Sequence, residues 1–294
     1  MLDALDEVDR AATAGVIRVL VRVTPGIAAR THEKIRTAHE GSKFGLPPPQ
    51  ALAAVAAASA AGLEPAGVHL HIGSQLLDAG AALETVDWLG DFVARARKEL
   101  GWVPTVVDLG GGLGVPYVEE EQPPPIGDFV SALLARLAEV WPGEPPRVIL
   151  EPGRSLVGHA GVTLYRVGVV KHSGPKTFVA VDGGMSDNPR PQLYAARYSA
   201  LLANRADQEA ARVFDVAGKH CESGDVLIES APLPEPRRGD LLAVPATGAY
   251  TLSMGSNYNS VPRPAAVLVA DGETQVIRRR ETLEDLLRYE EAAS

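Results

Sequence analysis

Hydrophobic positions in the first half of the chain follow two rhythms. Short β-branched runs at 16–23, 67–72, 105–109 and 147–150 read as buried strands. Between them, apolar residues recur at helical spacing over 49–62, 81–100 and 128–140. Strands alternating with helices predict βαβ units around a parallel sheet. After about residue 155 the rhythm changes. Strand-like runs at 161–170, 176–182, 212–218, 225–230, 240–245, 265–270 and 274–279 are separated by Gly, Pro and Asp turns. That pattern predicts a mostly antiparallel β domain, with a last helix over 282–290. The expected division is therefore an α/β domain over 1–155 and a β domain over 156–294, with no internal repeat or long linker.

Composition narrows the class. A chain of 294 residues, 46% hydrophobic and 22% charged, with mean hydropathy +0.01, does not fit a disordered, collagen-like or disulfide-scaffold protein. A formal net charge of −9 argues against coating a phosphate backbone or an anionic membrane. The single cysteine, Cys221, excludes an intrachain disulfide and fits a reducing compartment. The first ten residues lack the basic-then-apolar order of a signal peptide. The longest apolar run, 51–62, is too short to cross a bilayer. The expectation is a cytoplasmic protein with no nucleic-acid or membrane partner.

Candidate chemistry gathers just after the strands, where ligands bind in α/β folds. Three such endings are His71-Ile72-Gly73-Ser74-Gln75, Gly110-Gly111-Gly112-Leu113-Gly114 and Glu151-Pro152-Gly153-Arg154. The glycine run can bring backbone amides close to a phosphate. It departs from the dinucleotide fingerprint, which needs glycine where Val115 stands, and no P-loop Lys-Ser/Thr follows. A tight strand-to-helix turn explains it equally well on its own. Glu151 could keep a heteroaromatic nitrogen protonated, and Arg154 could clamp a phosphate or carboxylate; alone, the two would read as a structural ion pair. His69 and His71 are read as pointing to opposite faces of their strand, so that one could stack on a flat ring while the other packs against a helix; a lone strand histidine is more often core, and Gly73-Ser74 add weight to His71. His32, His39, His159, His172 and His220 show no metal-ligand spacing, so no metal is expected.

The second half holds three further segments. Asp182 to Tyr194 is dense in turn formers, with Arg190 and Tyr194 able to meet a ligand. Cys221-Glu222-Ser223-Gly224-Asp225 places the thiol among carboxylates, where it reads better as a proton donor than as a nucleophile. Gly248-Ala249-Tyr250 and the stretch from Ser253 to Asn259 offer phenol and amide groups. Each could also be an ordinary loop.

In this order, these segments resemble the diaminopimelate decarboxylases, fold-type III enzymes that use pyridoxal 5′-phosphate. The resemblance covers essentially the whole chain. It is most specific in Asp182-Gly-Gly-Met-Ser-Asp-Asn-Pro-Arg-Pro191, Cys221-Glu222-Ser223 and Gly248-Ala249-Tyr250. It implies a (β/α)₈ barrel, a β domain and a homodimer with shared active sites. It also implies that His71 stacks on the cofactor ring and that Ser74, Gly112, Gly153 and Arg154 hold its phosphate. Glu151 would pair with the pyridine nitrogen, and Tyr250 would help bind cofactor and substrate. Arg154, Arg190, Tyr194 and Glu222 would bind the substrate, and Cys221 would return a proton to it from the other subunit.

Charge supports that substrate. The distal end of meso-diaminopimelate carries a carboxylate and an ammonium, which Arg154 with Arg190, and Glu222, would meet. An ornithine-type substrate would leave a buried arginine unpaired. Arg190 and Glu222 therefore disfavour a decarboxylase for another basic amino acid, or a racemase of similar fold. A non-catalytic homologue that pairs with an intact subunit is the other alternative. One departure stands out. A whole barrel takes ~250 residues, about 31 per unit, yet only four units precede residue 155. None of the six lysines, Lys34, Lys43, Lys98, Lys171, Lys176 and Lys219, matches the context of the family's Schiff-base lysine. The expectation is the C-terminal half of the barrel plus the β domain, inactive by itself.

Overall fold

The computed structural model describes residues 1–27 and 43–291. His32, Lys34 and His39 lie outside the described residues. The chain forms two compact units: one of residues 1–116 and 120–156, the other of residues 117–119 and 157–294. Among the described residues no helix is long and apolar enough to cross a membrane.

The first unit is built on β1 (Arg18–Arg22), β2 (Glu64–His69), β3 (Val106–Asp108) and β4 (Arg147–Ile149). They form one sheet in the order β1-β2-β3-β4, each pair parallel. Such a sheet needs a crossover between successive strands. Helices supply it: α2 (Pro48–Ala60), α3 (Gly80–Leu100) and α4 (Ile126–Val140), preceded by α1 (Glu7–Thr13). α2 opens on prolines, whose missing amide is harmless in a first turn. Its inward face is mostly alanine, with Leu52 and Val55. α3 buries Ala82, Val86, Leu89, Val93 and Ala96, and α4 buries Phe129, Leu133 and Leu137, a stripe at four-residue spacing. With Val19, Val21, Val68, Leu70 and Val107 from the strand side they make one core. α1 has no apolar stripe long enough to announce it. Its first turn is fixed by Glu7, which accepts from the backbone amides of Asp3 and Ala4.

The second unit is a six-stranded sheet with the order β7-β10-β5-β6-β8-β9. Its strands are β5 (Thr163–Ser173), β6 (Lys176–Val181), β7 (Leu201–Leu202), β8 (Arg212–Ala217), β9 (Val226–Leu233) and β10 (Leu241–Val244). Every neighbouring pair is antiparallel except β6 and β8. The connection from β6 to β8, residues 182–211, includes the short helix Arg190–Tyr194 and β7 and is enough chain to return in the parallel sense. A separate hairpin pairs β11 (Ala266–Ala270) with β12 (Glu273–Arg278) across Asp271-Gly272, both at positive φ as a type I′ turn requires. The helix expected over 282–290 is only Leu283–Leu287, capped by Thr282 and Asp285.

Candidate active site

Parallel register brings three chain segments together in the first unit. β2 ends at His69 opposite Asp108, and Asp108 lies opposite Ile149. The ladder continues past the strands. Leu70 N donates to Asp108 O (2.9 Å), Leu109 N to Ile149 O (3.1 Å) and Glu151 N to Gly110 O (2.8 Å). The segments carrying His71, the glycine run and Glu151 are therefore held side by side by backbone hydrogen bonds.

The middle segment admits no side chain. A Cβ on Gly111 would lie 2.2 Å from the Glu151 carbonyl oxygen, and one on Gly112 2.4 Å from that of Gly73. Gly112 also sits at φ +114, which side chains rarely adopt. Gln75 closes the loop: its Nε2 donates to Val115 O (2.6 Å) and its Oε1 accepts from Val115 N (3.3 Å). Beside it Arg154, only 5% exposed, donates from Nη2 to Ser74 Oγ at 3.0 Å. A guanidinium held out of water next to a hydroxyl suits an anionic ligand.

His71 Nδ1 accepts from Gly111 N at 3.3 Å, which places the proton of the neutral ring on Nε2. Burial, then the nearby charge of Arg22, pushes its pKa down. His69 does not pack away from the site, as expected from sequence. It is 3% exposed, and its Nε2 lies 3.5 Å from Glu151 Oε2. Residues two apart on a strand share a face, so a direction toward the site serves both histidines. Burial lowers His69 to about 4, against the pull of Asp108. Glu151 is half-exposed, and burial followed by the charge of Asp108 pushes its pKa up. Asp108 in turn accepts from Gly110 N (2.9 Å).

His69, Asp108 and Glu151 offer three donor atoms within 4.8 Å of one another. One imidazole and two carboxylates suit the N–H of a protonated heteroaromatic ring. Asp108 was missed in the sequence. Its only signal was its place two residues before the glycine run, whose first amide it binds.

The second unit arranges its candidates by side-chain knots. Asp225, on the turn after Cys221, accepts from Met185 N (2.7 Å) and His220 N (2.9 Å). His220 Nε2 and Ser186 Oγ are hydrogen-bonded at 2.8 Å. The loop from Asp182 is thus tied to the Cys221 turn. Cys221 is exposed. Of the carboxylates expected around it, Asp225 is buried and occupied by these amides, while Glu222 is exposed and accepts from the Tyr258 hydroxyl at 3.3 Å.

Arg190 is 2% exposed. Its guanidinium lies 4.6 Å from the centre of the Tyr117 ring, and its Nη1 donates to the Tyr198 hydroxyl at 2.5 Å. Its buried Nε has no hydrogen-bond acceptor among the described residues. Tyr194 is half-buried, four residues along the same short helix, Arg190–Tyr194. Tyr250 is exposed at φ +59, an uncommon backbone state for a non-glycine residue. Tyr117 and Tyr198 carried no sequence signal, because nothing local relates either to Arg190.

The pyridoxal-binding domain of the pyridoxal-dependent decarboxylases matches residues 1–158. The diaminopimelate decarboxylase of Halalkalibacterium halodurans is 44% identical, covering 98% of this chain and 67% of the relative. That of Bacillus subtilis is 42% identical over 95% of this chain and 65% of its own length. The chain belongs to the diaminopimelate decarboxylase family. A crystal structure of diaminopimelate decarboxylase from Helicobacter pylori complexed with L-lysine superposes with a TM-score of 0.87 at 36% identity. It is matched over 98% of this chain and 72% of that one. The fold-type III expectation agrees with these neighbours. The chain spans about two thirds of the length of the relatives it matches.

The cofactor of diaminopimelate decarboxylases is pyridoxal 5′-phosphate, a flat ring bearing a phosphate and a basic ring nitrogen. The first unit fits such a group on observed grounds. It has a buried guanidinium with a hydroxyl, a glycine loop in which a Cβ would collide, a neutral imidazole, and the cluster of His69, Asp108 and Glu151 at the strand ends.

Proposed function

We propose that this chain carries the cofactor cradle and substrate-binding unit of a diaminopimelate decarboxylase, which converts meso-2,6-diaminopimelate to L-lysine and CO₂. The reading is supported most by the convergence of His71, Ser74, Gly112, Glu151 and Arg154 at the carboxyl ends of three adjacent parallel strands. The first unit is read as the C-terminal half of a (β/α)₈ barrel, and residues 156–294 as the β domain. Bound there, pyridoxal phosphate supplies an electron sink for the bond that breaks as CO₂ departs.

The chain's own residues do the rest. Arg154, Ser74, Gly112 and Gly153 bind the phosphate, and His71 lies against the ring. Glu151 holds the ring nitrogen protonated, which keeps the sink strong. Cys221 returns a proton to the carbon that loses CO₂, acting on the site of a second copy in a homodimer. Arg190, with Arg154, binds the distal carboxylate of the substrate; its buried Nε is a donor with no acceptor among the described residues. Glu222 meets the distal ammonium, with Tyr194 and Tyr250 alongside.

The test is substrate discrimination by the protein loaded with pyridoxal phosphate. Arg190→Ala is expected to lower kcat/KM for diaminopimelate about 10²-fold, because the substrate carboxylate loses its partner. Turnover of ornithine, which has no such group, should change far less. An equal loss for both substrates would sink the assignment.

A further inference from the structure

The segment after β4 puts Glu151 on a half-exposed loop, where nothing in the backbone fixes its carboxylate. The two groups beside it are different. His69 and Asp108 end neighbouring strands in fixed register, and both are buried. A buried imidazole normally finds hydrogen-bond partners, since leaving a buried polar group unpaired costs about 1–3 kcal/mol. Neither nitrogen of His69 has a hydrogen bond among the described residues. The acceptor within reach is Glu151 Oε2, 3.5 Å from Nε2, a small rotation from bonding distance.

We infer that His69 is a positioning residue for Glu151, donating Nε2–H to its carboxylate and holding that carboxylate charged and aimed at the cofactor's ring nitrogen. The inference rests on the assignment of Glu151 made above. Asp108 explains the need. A carboxylate beside another carboxylate tends to take up a proton, and a protonated Glu151 could not keep the ring nitrogen protonated. A neutral donor on the far side of Glu151 favours its ionised form. Around His69 stand Asp108, Glu151, Asp3, Arg22 and His71, of mixed sign. Burial outweighs them and keeps the imidazole neutral, able to donate without neutralising Glu151 as a cation would.

Two variants test this in the full chain: His69→Leu, which keeps apolar volume and removes the donor, and His69→Gln, whose amide reaches nearly as far as Nε2. The first readout needs no cofactor. Carbon-13 NMR titration of the Glu151 carboxyl should show its pKa rising by about half a unit or more in His69→Leu and returning toward wild type in His69→Gln. The second readout uses pyridoxal phosphate labelled with nitrogen-15 in the ring. His69→Leu should shift the ring nitrogen toward its unprotonated signal and weaken binding about tenfold, with His69→Gln recovering most of both.

Glu151→Gln is the control for the underlying assignment. If it leaves the ring-nitrogen signal unchanged, Glu151 does not hold that nitrogen, and the inference falls with that reading. If it moves the signal while His69→Leu alters neither readout, His69 does not position Glu151. Should His69→Leu fail to fold by circular dichroism, His69→Asn decides: its shorter amide cannot reach Glu151, so a raised Glu151 pKa in the folded variant supports the inference and a wild-type titration overturns it.

Discussion

The two units place their chemistry by different means. In the first, His71, the glycine run and Glu151 follow parallel strands whose backbone ladder extends into the loops. In the second, Ser186 and Cys221 lie on loops and Arg190 opens a short helix, all held by side chains, above all Asp225 and the pair Tyr117–Tyr198. Backbone register survives most substitutions, whereas a knot tied by one carboxylate does not. The first site should therefore be sensitive to steric intrusion, and the second to loss of single polar groups.

The largest effect is expected at the knot. Asp225→Ala removes a buried carboxylate from the amides of Met185 and His220. Hydrogen bonds to a charged group are worth about 1.5–3 kcal/mol each, so about 3–5 kcal/mol of stability should go. Urea unfolding followed by a probe in the second unit would show it. A loss below ~1 kcal/mol would mean that the loops are held otherwise, and the contrast between the units would fail.

Next is the glycine run. Gly112→Ala puts a Cβ 2.4 Å from Gly73 O at φ +114. Left-handed strain and the clash should cost about 1–3 kcal/mol, and pyridoxal phosphate binding should be lost even where the unit stays folded. Fluorescence titration with the cofactor, beside a thermal melt, separates the two effects. Binding within threefold of wild type would show that the loop does not form the cradle.

This contrast also explains what could be read in advance. His71, Ser74, Glu151 and Arg154 stand in motifs directly after strand-like runs, and strand ends are where α/β folds bind ligands. Asp108 and the inward placement of His69 required knowing that β2, β3 and β4 are neighbours in that order, a tertiary fact. Arg190 was visible as a cation in a polar loop. Its stacking on Tyr117 was not, because Tyr117 lies far earlier in the chain and joins the second unit. The short helix α1 and the two-residue strand β7 were missed for a plainer reason: each is too short for a period to register.

A third effect concerns acid. The folded state holds His69 near 4, against 6.5 for a free imidazole. Its contribution is complete above about pH 6.5 and is lost as pH falls toward 4, because the unfolded chain takes up the proton first. The expected loss is of order 1–3 kcal/mol. Glu151 acts in the opposite sense, since its raised pKa lets the folded chain bind a proton before the unfolded one as pH falls. His69→Leu keeps Glu151 and removes the histidine's share, so its stability should fall less than that of wild type between pH 6.5 and 4. Parallel curves for the two proteins would show that His69 is not held neutral in the folded state.

The smallest effect on stability should come from Tyr258→Phe, and it sharpens the comparison most. The Tyr258 hydroxyl donates to Glu222 at 3.3 Å, with both residues exposed, and the carboxylate pushes the phenol's pKa up. An exposed contact of this kind contributes little, so the melt should move by less than about 0.5 kcal/mol. The same contact limits where the Glu222 carboxylate can go, and Glu222 is the group assigned to the substrate's distal ammonium. Removing the hydroxyl should therefore raise KM for diaminopimelate severalfold while kcat and folding stay near wild type. A change in kcat without a change in KM would place Tyr258 at the chemical step instead. No kinetic change would mean that Glu222 needs no restraint, and that the turn after Cys221 is ordered by Asp225 alone.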